Sequence, residues 1–167
     1  MKYIIQSGIC MLLIGTMVPL TTSGQTKKQT QMTENQNIAL FPKGDKLTNE
    51  YFTGDAFLTP LLARDKNNDF VMGSVSFEPN ARTNWHTHPK GQVLIVTEGS
   101  GFYQEKGKQA RPIKKGDVIN IPENTEHWHG AAAGSKMVHI AITHFKEQTN
   151  VVWLKAVTDE EYATVNK

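Results

Sequence analysis

The sequence has almost no cysteine, little net charge and no long, uninterrupted apolar run. Its one cysteine, Cys10, lies in an N-terminal segment that we expect to be removed, so the mature protein needs no disulfides and uses no thiol chemistry. The formal net charge of the 167 residues is +2, and no basic cluster exceeds two adjacent lysines. A nucleic-acid partner therefore has no electrostatic basis.

The N-terminus has the pattern of an export signal. Lys2 supplies a positive start, residues 9–20 are mostly apolar, and residues 22–24 are small. The apolar run is too short and too interrupted to span a membrane, so we predict a signal peptide over residues 1–24 that is cleaved before Gln25. An uncleaved anchor is the alternative. Either way we expect an exported protein, periplasmic or secreted, with no stable membrane insertion once the signal is cleaved.

Composition then predicts a spacer followed by one β-rich domain. Residues 25–37 are rich in Gln, Thr, Lys and Asn, which is typical of a disordered linker. Residues 38–167 have the length of one domain, and their short apolar segments separated by Gly and Pro predict an all-β sandwich or barrel. The predicted strands cover residues 70–78, 82–88, 92–98, 117–121, 137–145 and 151–157, with an edge strand within 51–63, a hairpin turning near Gly107, and a short helix starting at Thr158.

The residues that favour a metal site are histidines. All six lie between positions 86 and 144, and the two in His86-Thr87-His88 project from one face of a strand because side chains alternate. Gln92 follows after a Pro-Lys-Gly turn, and His127 comes about forty residues later. We predict that His86, His88, Gln92 and His127 form a metal shell. Taken singly, each position also has a structural alternative, with the His-x-His pair facing solvent and Gln92 serving as a turn residue.

This donor set predicts the chemistry of the bound ion. Three imidazoles suit Mn, Fe, Co, Ni, Cu or Zn, and a neutral amide oxygen leaves the centre with its full +2 charge. Such an ion is a stronger Lewis acid than one that is bound by a carboxylate. The sequence therefore predicts a centre that polarises a small substrate.

Further histidines are candidates for proton transfer. His139 shares a strand face with Ala141 and Thr143, which fits a strand that lines a cavity, and a free imidazole beside a metal is suited to act as a general base. The alternative is that it orients a ligand. If its segment is extended, His129 shares a face with His127, so it lies in the pocket or at its rim. His144 points to the opposite face from His139, and Trp85 and Trp128 are expected to pack in the core rather than on substrate.

These residues match the motifs of the cupin superfamily. A first motif of the type G-x5-H-x-H-x3-E-x6-G resembles the stretch from Asn80 to Gly99, with Asn at the first Gly and Gln92 at the Glu. A second motif, G-x5-P-x-G-x2-H-x3-N, resembles the stretch from Gly116 to Ala131, with Asn124 at its second Gly and Ala131 at its final Asn. The resemblance implies a cupin fold: a double-stranded β-helix, or jelly-roll barrel, of six or more strands in two sheets.

A closer resemblance is to the small single-domain cupins that include the bacterial manganese-dependent hydroxynitrile lyases. It rests on residues 85–89, 127–132 and 139–142, together with Phe77-Glu78-Pro79 and the C-terminal Trp153. It implies Mn2+, or Fe2+ in some preparations, and a homodimer or homotetramer. In these enzymes a histidine matching His139 takes the substrate's hydroxyl proton, while residues matching Thr83 and His129 line the pocket. The chain departs from the lyases in its export signal and at Thr143, where Gln is expected.

Three functions follow as expectations. The first is a metal-dependent lyase for a small hydroxyl or carbonyl compound, in which the metal is the Lewis acid and His139 the base. The second is an oxidative enzyme, such as a dioxygenase, in which the metal binds O2 beside the substrate. The third is a non-enzymatic module that binds a metal or a small ligand.

Overall fold

The computed structural model describes residues 39–48 and 50–165, and these form an all-β fold, as predicted. The predicted signal peptide over 1–24, the linker over 25–37 and the predicted start of the domain at Ile38 lie outside the described residues. No helix in the described ranges is long and apolar enough to cross a membrane. The elements found there are β1 (Asp45–Lys46), β2 (Phe52–Thr53), β3 (Ala56–Leu62), β4 (Phe70–Phe77), β5 (Arg82–Thr83), β6 (His86–Thr87), β7 (Gln92–Glu105), β8 (Arg111–Lys114), β9 (Val118–Ile121), β10 (His127–Ala131), β11 (Met137–His144), β12 (Val152–Trp153) and α1 (Asp159–Ala163).

The strands form two antiparallel sheets that share the long strand β7. The first sheet runs in the order β1-β3-β4-β11-β7-β9, where β11 and β9 pair with the N-terminal half of β7. In the second sheet, β10 and β8 pair with the C-terminal half of β7, and β5 and β6 pair with β10. The edge strands β2 and β12 pair with β5 and β6. Because β7 belongs to both sheets, it holds their inner faces against each other.

The prediction that the strand starting at Gln92 ends at the glycines near position 100 was wrong. The strand continues to Glu105, and the glycines bend it from one sheet into the other. Gly99 has a φ of +69°, a left-handed conformation that glycine adopts without strain. At Gly101, a Cβ atom would lie only 2.0 Å from the backbone oxygen of Gly130. The glycines therefore permit a bend and a close backbone approach instead of a chain end.

The predicted continuous strand over residues 82–88 is also divided, because it contains an extra residue. Arg82 is paired with Gly130 and His86 with His127. The chain therefore advances by four residues from Arg82 to His86, while β10 advances by only three between the same two pairs. Such a bulge shifts the side-chain alternation by one residue. As a result Thr83 and His86 line the same cavity, whereas Arg82 points to the opposite side and donates hydrogen bonds to the Val157 carbonyl.

The C-terminal segment forms less strand than predicted and the expected short helix. Only Val152–Trp153 is strand within the predicted range of 151–157, because the backbone beyond it bonds to the irregular Trp85 and to the Arg82 side chain rather than to a regular strand. Thr158 caps α1 through a reciprocal capping box with Glu161. The helix carries the buried Tyr162.

Two hydrophobic clusters stabilise the barrel. The larger one includes Phe77, Leu94, Ile119 and Met137, whose exposed fractions are 2% or less. The smaller one joins Trp85 and Trp128 to Val157 and Tyr162 near α1. It covers the face of β10 opposite His127 and His129, so the prediction that both tryptophans pack in the core is confirmed.

The close approach at Gly101 gives a stability test. Gly101→Ala should lower the free energy of unfolding by about 2 kcal/mol or more, because the new methyl group would overlap the Gly130 carbonyl and Met137 sulfur. Gly134→Ala is the control: a Cβ there meets no atom within 4 Å, so stability should change by less than about 0.5 kcal/mol. Urea unfolding compares the two, and equal midpoints would contradict the described bend.

Candidate metal centre

A cavity of about 160 Å³ lies between the two sheets and collects most of the predicted site residues. The first sheet contributes side chains from β4, β7 and β11, and the second from β2, β5, β6, β10 and β12. Among the described residues, no Lys, Arg, Asp or Glu side chain lines it. The lining residues are Phe52, Val75, Phe77, Thr83, His86, His88, Gln92, His129, His139, Ala141, Thr143, Asn150, Val151 and Trp153.

Three histidines are fixed by backbone carbonyl groups in a single tautomer. The Nδ1 atoms of His86, His88 and His127 lie 2.9, 2.5 and 2.8 Å from the carbonyl oxygens of Asn84, Asn150 and Thr125. A carbonyl oxygen only accepts hydrogen bonds, so each Nδ1 carries the proton and each Nε2 carries a lone pair. Histidines that ligate metals are commonly oriented by such a contact.

Two Nε2 atoms of this trio have no partner among the described residues that explains their burial. Those of His88 and His127 are buried and form no hydrogen bond within the described residues. Unpaired buried polar atoms are costly and call for an explanation. The rings lie close together, with centroids 4.2 Å apart for His86 and His127 and 5.0 Å apart for His86 and His88. The first distance follows from the direct pairing of His86 with His127 across β6 and β10.

Gln92 presents an unpaired oxygen in the same cavity. Its Nε2 donates a hydrogen bond to Oγ1 of Thr143 over 3.1 Å, whereas its Oε1 is buried and has no partner in the described part of the chain. An amide oxygen is a suitable ligand for a divalent cation. The four predicted ligands are thus brought together, and their role as ligands stays a prediction.

His129 competes with His88 for the third imidazole position. One ring nitrogen each of His86, His127 and His129 lies within 4.8 Å of the others, a spacing that can hold a metal ion. The His129 ring is nevertheless further from the other two than the His88 ring is: 5.4 and 5.9 Å, against 5.0 and 5.5 Å. Its tautomer is also not fixed by a carbonyl, which favours His88 as the ligand.

His129 and His139 form a hydrogen-bonded pair beside the proposed shell. Nε2 of His139 lies 3.2 Å from Nδ1 of His129, and their other nitrogens, Nδ1 of His139 and Nε2 of His129, are buried without partners in the described ranges. With both rings neutral, the shared proton sits on one side. If the proton belongs to His139, Nδ1 of His139 is a free base and Nε2 of His129 carries hydrogen. If it belongs to His129, Nε2 of His129 is free to bind a metal, while Nδ1 of His139 carries hydrogen and its Nε2 is occupied as the acceptor. A neutral pair therefore cannot combine His139 as a free base with His129 as a metal ligand.

All five clustered imidazoles are held neutral by their surroundings. Burial is the largest cause in each case, lowering the pKa of His127 and His139 to about 4 and those of His86 and His129 well below 6.5. The pKa of His88 is also lowered, chiefly by burial, and its contact with the Asn150 carbonyl opposes that effect. Neutral imidazoles are the form that binds metal, so the site is ready for an ion at neutral pH.

Other residues named from the sequence are also placed by the structure. Thr83 lines the cavity, and its Oγ1 accepts a hydrogen bond from the His129 peptide N–H over 3.2 Å. His144 is exposed, points away from the cavity and contacts Phe70, in agreement with its predicted opposite face.

Two contributions were missed in the sequence reasoning. Trp153 lines the cavity and lies 4.8 Å from the His86 ring, and the Asn150 backbone orients His88. For Trp153, the available sequence signal was an isolated Trp within an apolar segment. A backbone carbonyl leaves no sequence signal, because any residue supplies one.

Comparisons with known proteins agree with the all-β fold. The Cupin_2 family model, described as a cupin domain, matches residues 73–144. The chain is 43% identical over 113 residues to an (R)-mandelonitrile lyase of Granulicella tundricola, covering 68% of this chain and 86% of that protein. It is 30% identical over 84 residues to an acireductone dioxygenase of Leptospira biflexa, covering 48% of this chain and 45% of that protein. The crystal structure of a cupin-like protein from Thermotoga maritima superimposes with a TM-score of 0.73 at 47% identity, covering 77% of this chain and 97% of that one.

Two antiparallel sheets closed around a cluster of histidines define a β-barrel of the jelly-roll class, with a site that can hold a metal. The chain belongs to the cupin family. The resemblance inferred from the two sequence motifs is thereby confirmed.

The choice between His88 and His129 can be tested by metal binding. His88→Ala should weaken Mn2+ binding by about 100-fold or more, because it removes a ligand whose lone pair is already oriented, and His129→Ala should weaken it by less than about tenfold. Equilibrium dialysis with Mn2+ measures both. The exposed His144→Ala is the control and should bind as the wild type does. A larger loss in His129→Ala than in His88→Ala would assign the ligand role to His129.

Proposed function

We propose that this cupin is a metal-dependent lyase of the hydroxynitrile lyase type, acting on a small, uncharged hydroxyl or carbonyl compound. The single observation that carries the proposal is the unpaired, buried Nδ1 of His139, a residue that lines the same cavity as the oriented His86 and His88. A base and a cation site that face one small cavity suit proton abstraction from a polarised hydroxyl group. The 43% identical mandelonitrile lyase supports the same reaction class.

The walls of the cavity support an uncharged substrate. Phe52, Val75, Phe77, Ala141 and Trp153 supply apolar surface, and no charged side chain is present among the described lining residues to pair with a carboxylate or phosphate. A charged substrate would lose its hydration without compensation there. A neutral molecule that carries one oxygen and one apolar group suits a lining of apolar side chains and uncharged polar ones.

The proton movements of cyanohydrin cleavage fit the available groups. His139 Nδ1 accepts the hydroxyl proton, the C–O bond becomes a carbonyl, and the C–C bond to the nitrile carbon breaks. The electron pair of that bond leaves with cyanide, which then takes up the proton, so that the products are an aldehyde or ketone and HCN. In the tautomer that makes His139 a base, Nε2–H of His129 is available to donate to the cleaved substrate, as is the hydroxyl of Thr83.

His86, His88, His127 and Gln92 would hold the ion, for which we propose Mn2+. The bound cation would supply Lewis acidity toward a substrate oxygen. The orphaned nitrogens of His88 and His127 and the orphaned oxygen of Gln92 fit such an ion, because each is a buried lone pair without a donor in the described part of the chain. Three imidazoles and an amide oxygen leave the ion's charge unneutralised, which favours that role.

A second candidate is oxidative chemistry at the same centre. It is favoured by the 30% identity to an acireductone dioxygenase, which covers only about half of either chain. Imidazole ligands also suit iron. In that case the Fe2+-loaded protein would consume O2 when an electron-rich substrate is added, and it would not cleave cyanohydrins.

The lyase proposal is tested through His139. His139→Ala should retain the wild-type Mn2+ content and lower the turnover of mandelonitrile by about 10²- to 10⁴-fold, because the base that takes the hydroxyl proton is removed. Benzaldehyde release, followed by absorbance, measures the rate. His144→Ala, a histidine from the same strand β11 that points out of the cavity, should cleave mandelonitrile at the wild-type rate.

Each outcome of this experiment is informative. Unchanged turnover in His139→Ala would remove the base from the mechanism. A wild-type protein that carries Mn2+ and cleaves neither mandelonitrile nor aliphatic cyanohydrins would contradict the lyase proposal, and substrate-dependent O2 uptake by the Fe2+ form would then support the second candidate.

A further inference from the structure

We propose that Thr143 is a positioning residue of the metal centre: it holds the Gln92 amide so that the oxygen, and not the nitrogen, faces the cation. The inference rests on the proposed metal function and assigns a role to the residue at which the chain departs from the lyases it resembles. It concerns the fourth ligand of the shell, which the sequence supplies as an amide.

The contact between the two residues is built into the fold. Gln92 is the first residue of β7 and Thr143 lies near the end of β11, and the two are direct partners in the sheet. Nε2 of Gln92 lies 3.1 Å from Oγ1 of Thr143, and their exposed fractions are 7% and 6%. Buried partners in fixed register hold each other's orientation more firmly than exposed ones.

An amide ligand requires this control because its two ends are opposite in character. The oxygen is an acceptor and binds a cation, whereas the NH2 group is a donor and repels it. The ends have nearly the same shape, so packing alone does not distinguish them. Orientation must come from a hydrogen bond to one end.

Thr143 supplies that hydrogen bond on the side away from the proposed ion. Its hydroxyl accepts from the amide NH2 group, and no other described residue donates to or accepts from its Oγ1. Meanwhile the amide oxygen is buried without a partner among the described residues. Flipping the amide would turn the NH2 donor into the cavity that His86 and His88 also line, where a cation could no longer bind.

A carboxylate at position 92 would not need this orientation. Both of its ends are oxygens, so either can face the ion. Loss of the Thr143 hydroxyl should therefore matter more when residue 92 is Gln than when it is Glu. This difference separates an orienting role from a purely structural one.

The test measures Mn2+ affinity in the full chain, from the electron paramagnetic resonance signal of free Mn2+. Thr143→Val removes the hydroxyl at constant shape and should weaken Mn2+ binding by about 10- to 100-fold, the usual cost of losing a group that orients a ligand. Thr143→Ser keeps the hydroxyl and should stay within about threefold of the wild type. In a Gln92→Glu background, Thr143→Val should cost no more than about threefold.

Thr97→Val is the matched control. Thr97 lies on β7, and its hydroxyl donates to the Val138 carbonyl on β11 over 3.2 Å, outside the cavity. Its loss removes a hydrogen bond between the same two strands, so Mn2+ affinity should not change. Circular dichroism establishes that each variant folds, and Thr143→Ala replaces Thr143→Val if the latter does not.

The outcomes separate this inference from the proposed function. Wild-type affinity in folded Thr143→Val, or an equal loss in the wild-type and Gln92→Glu backgrounds, would overturn the orienting role while the metal centre stands. A wild-type protein that binds no Mn2+ would overturn both. The expected result is that Thr143→Val weakens Mn2+ binding only when residue 92 is Gln, and that Thr143→Ser binds Mn2+ nearly as the wild type does.

Discussion

The structure depends on one constraint, the burial of neutral imidazoles whose protons are already committed to backbone carbonyl groups. The contacts from His86, His88 and His127 to the carbonyls of Asn84, Asn150 and Thr125 remove the choice of tautomer. The lone pairs of His88 and His127 are then buried without a partner among the described residues, and the described lining of the neighbouring cavity includes no charged side chain. A barrel that buries these nitrogens unpaired loses stability, and a bound cation would recover it. The cost of burying these lone pairs without partners is the physical reason for inferring an ion.

Two irregularities of the sheets make this convergence possible. The bulge between Arg82 and His86 places Thr83 on the same side as the histidines and turns Arg82 outward, where it contacts Val157 and Asp159 near the C-terminal helix. The bend of β7 at its glycines lets one strand serve both sheets, so that Gln92 at one end reaches the cavity while the other end supports β10. Regular strands would have placed these side chains on different faces.

Much of the site could be predicted from the sequence, because its information is local. His86 and His88 lie two residues apart, and the pattern of His139, Ala141 and Thr143 indicated a cavity-lining face, which the structure has. The continuation of β7 and the bulge could not be predicted, because both depend on backbone approaches between distant segments, such as Gly101 to Gly130. The same holds for Asn150, whose contribution is a carbonyl group common to every residue. The hydrogen bond between Gln92 and Thr143 required the register of two strands about fifty residues apart.

The central claim is that one cation is held by three oriented imidazoles and one oriented amide oxygen. Anomalous diffraction at the manganese edge, from crystals of the Mn2+-loaded protein, tests it most directly. The account predicts a single strong peak in the cavity, bonded to Nε2 of His86, His88 and His127 and to Oε1 of Gln92. A cavity without a peak, or an ion that is bound to His129 while His88 and Gln92 point elsewhere, would contradict it.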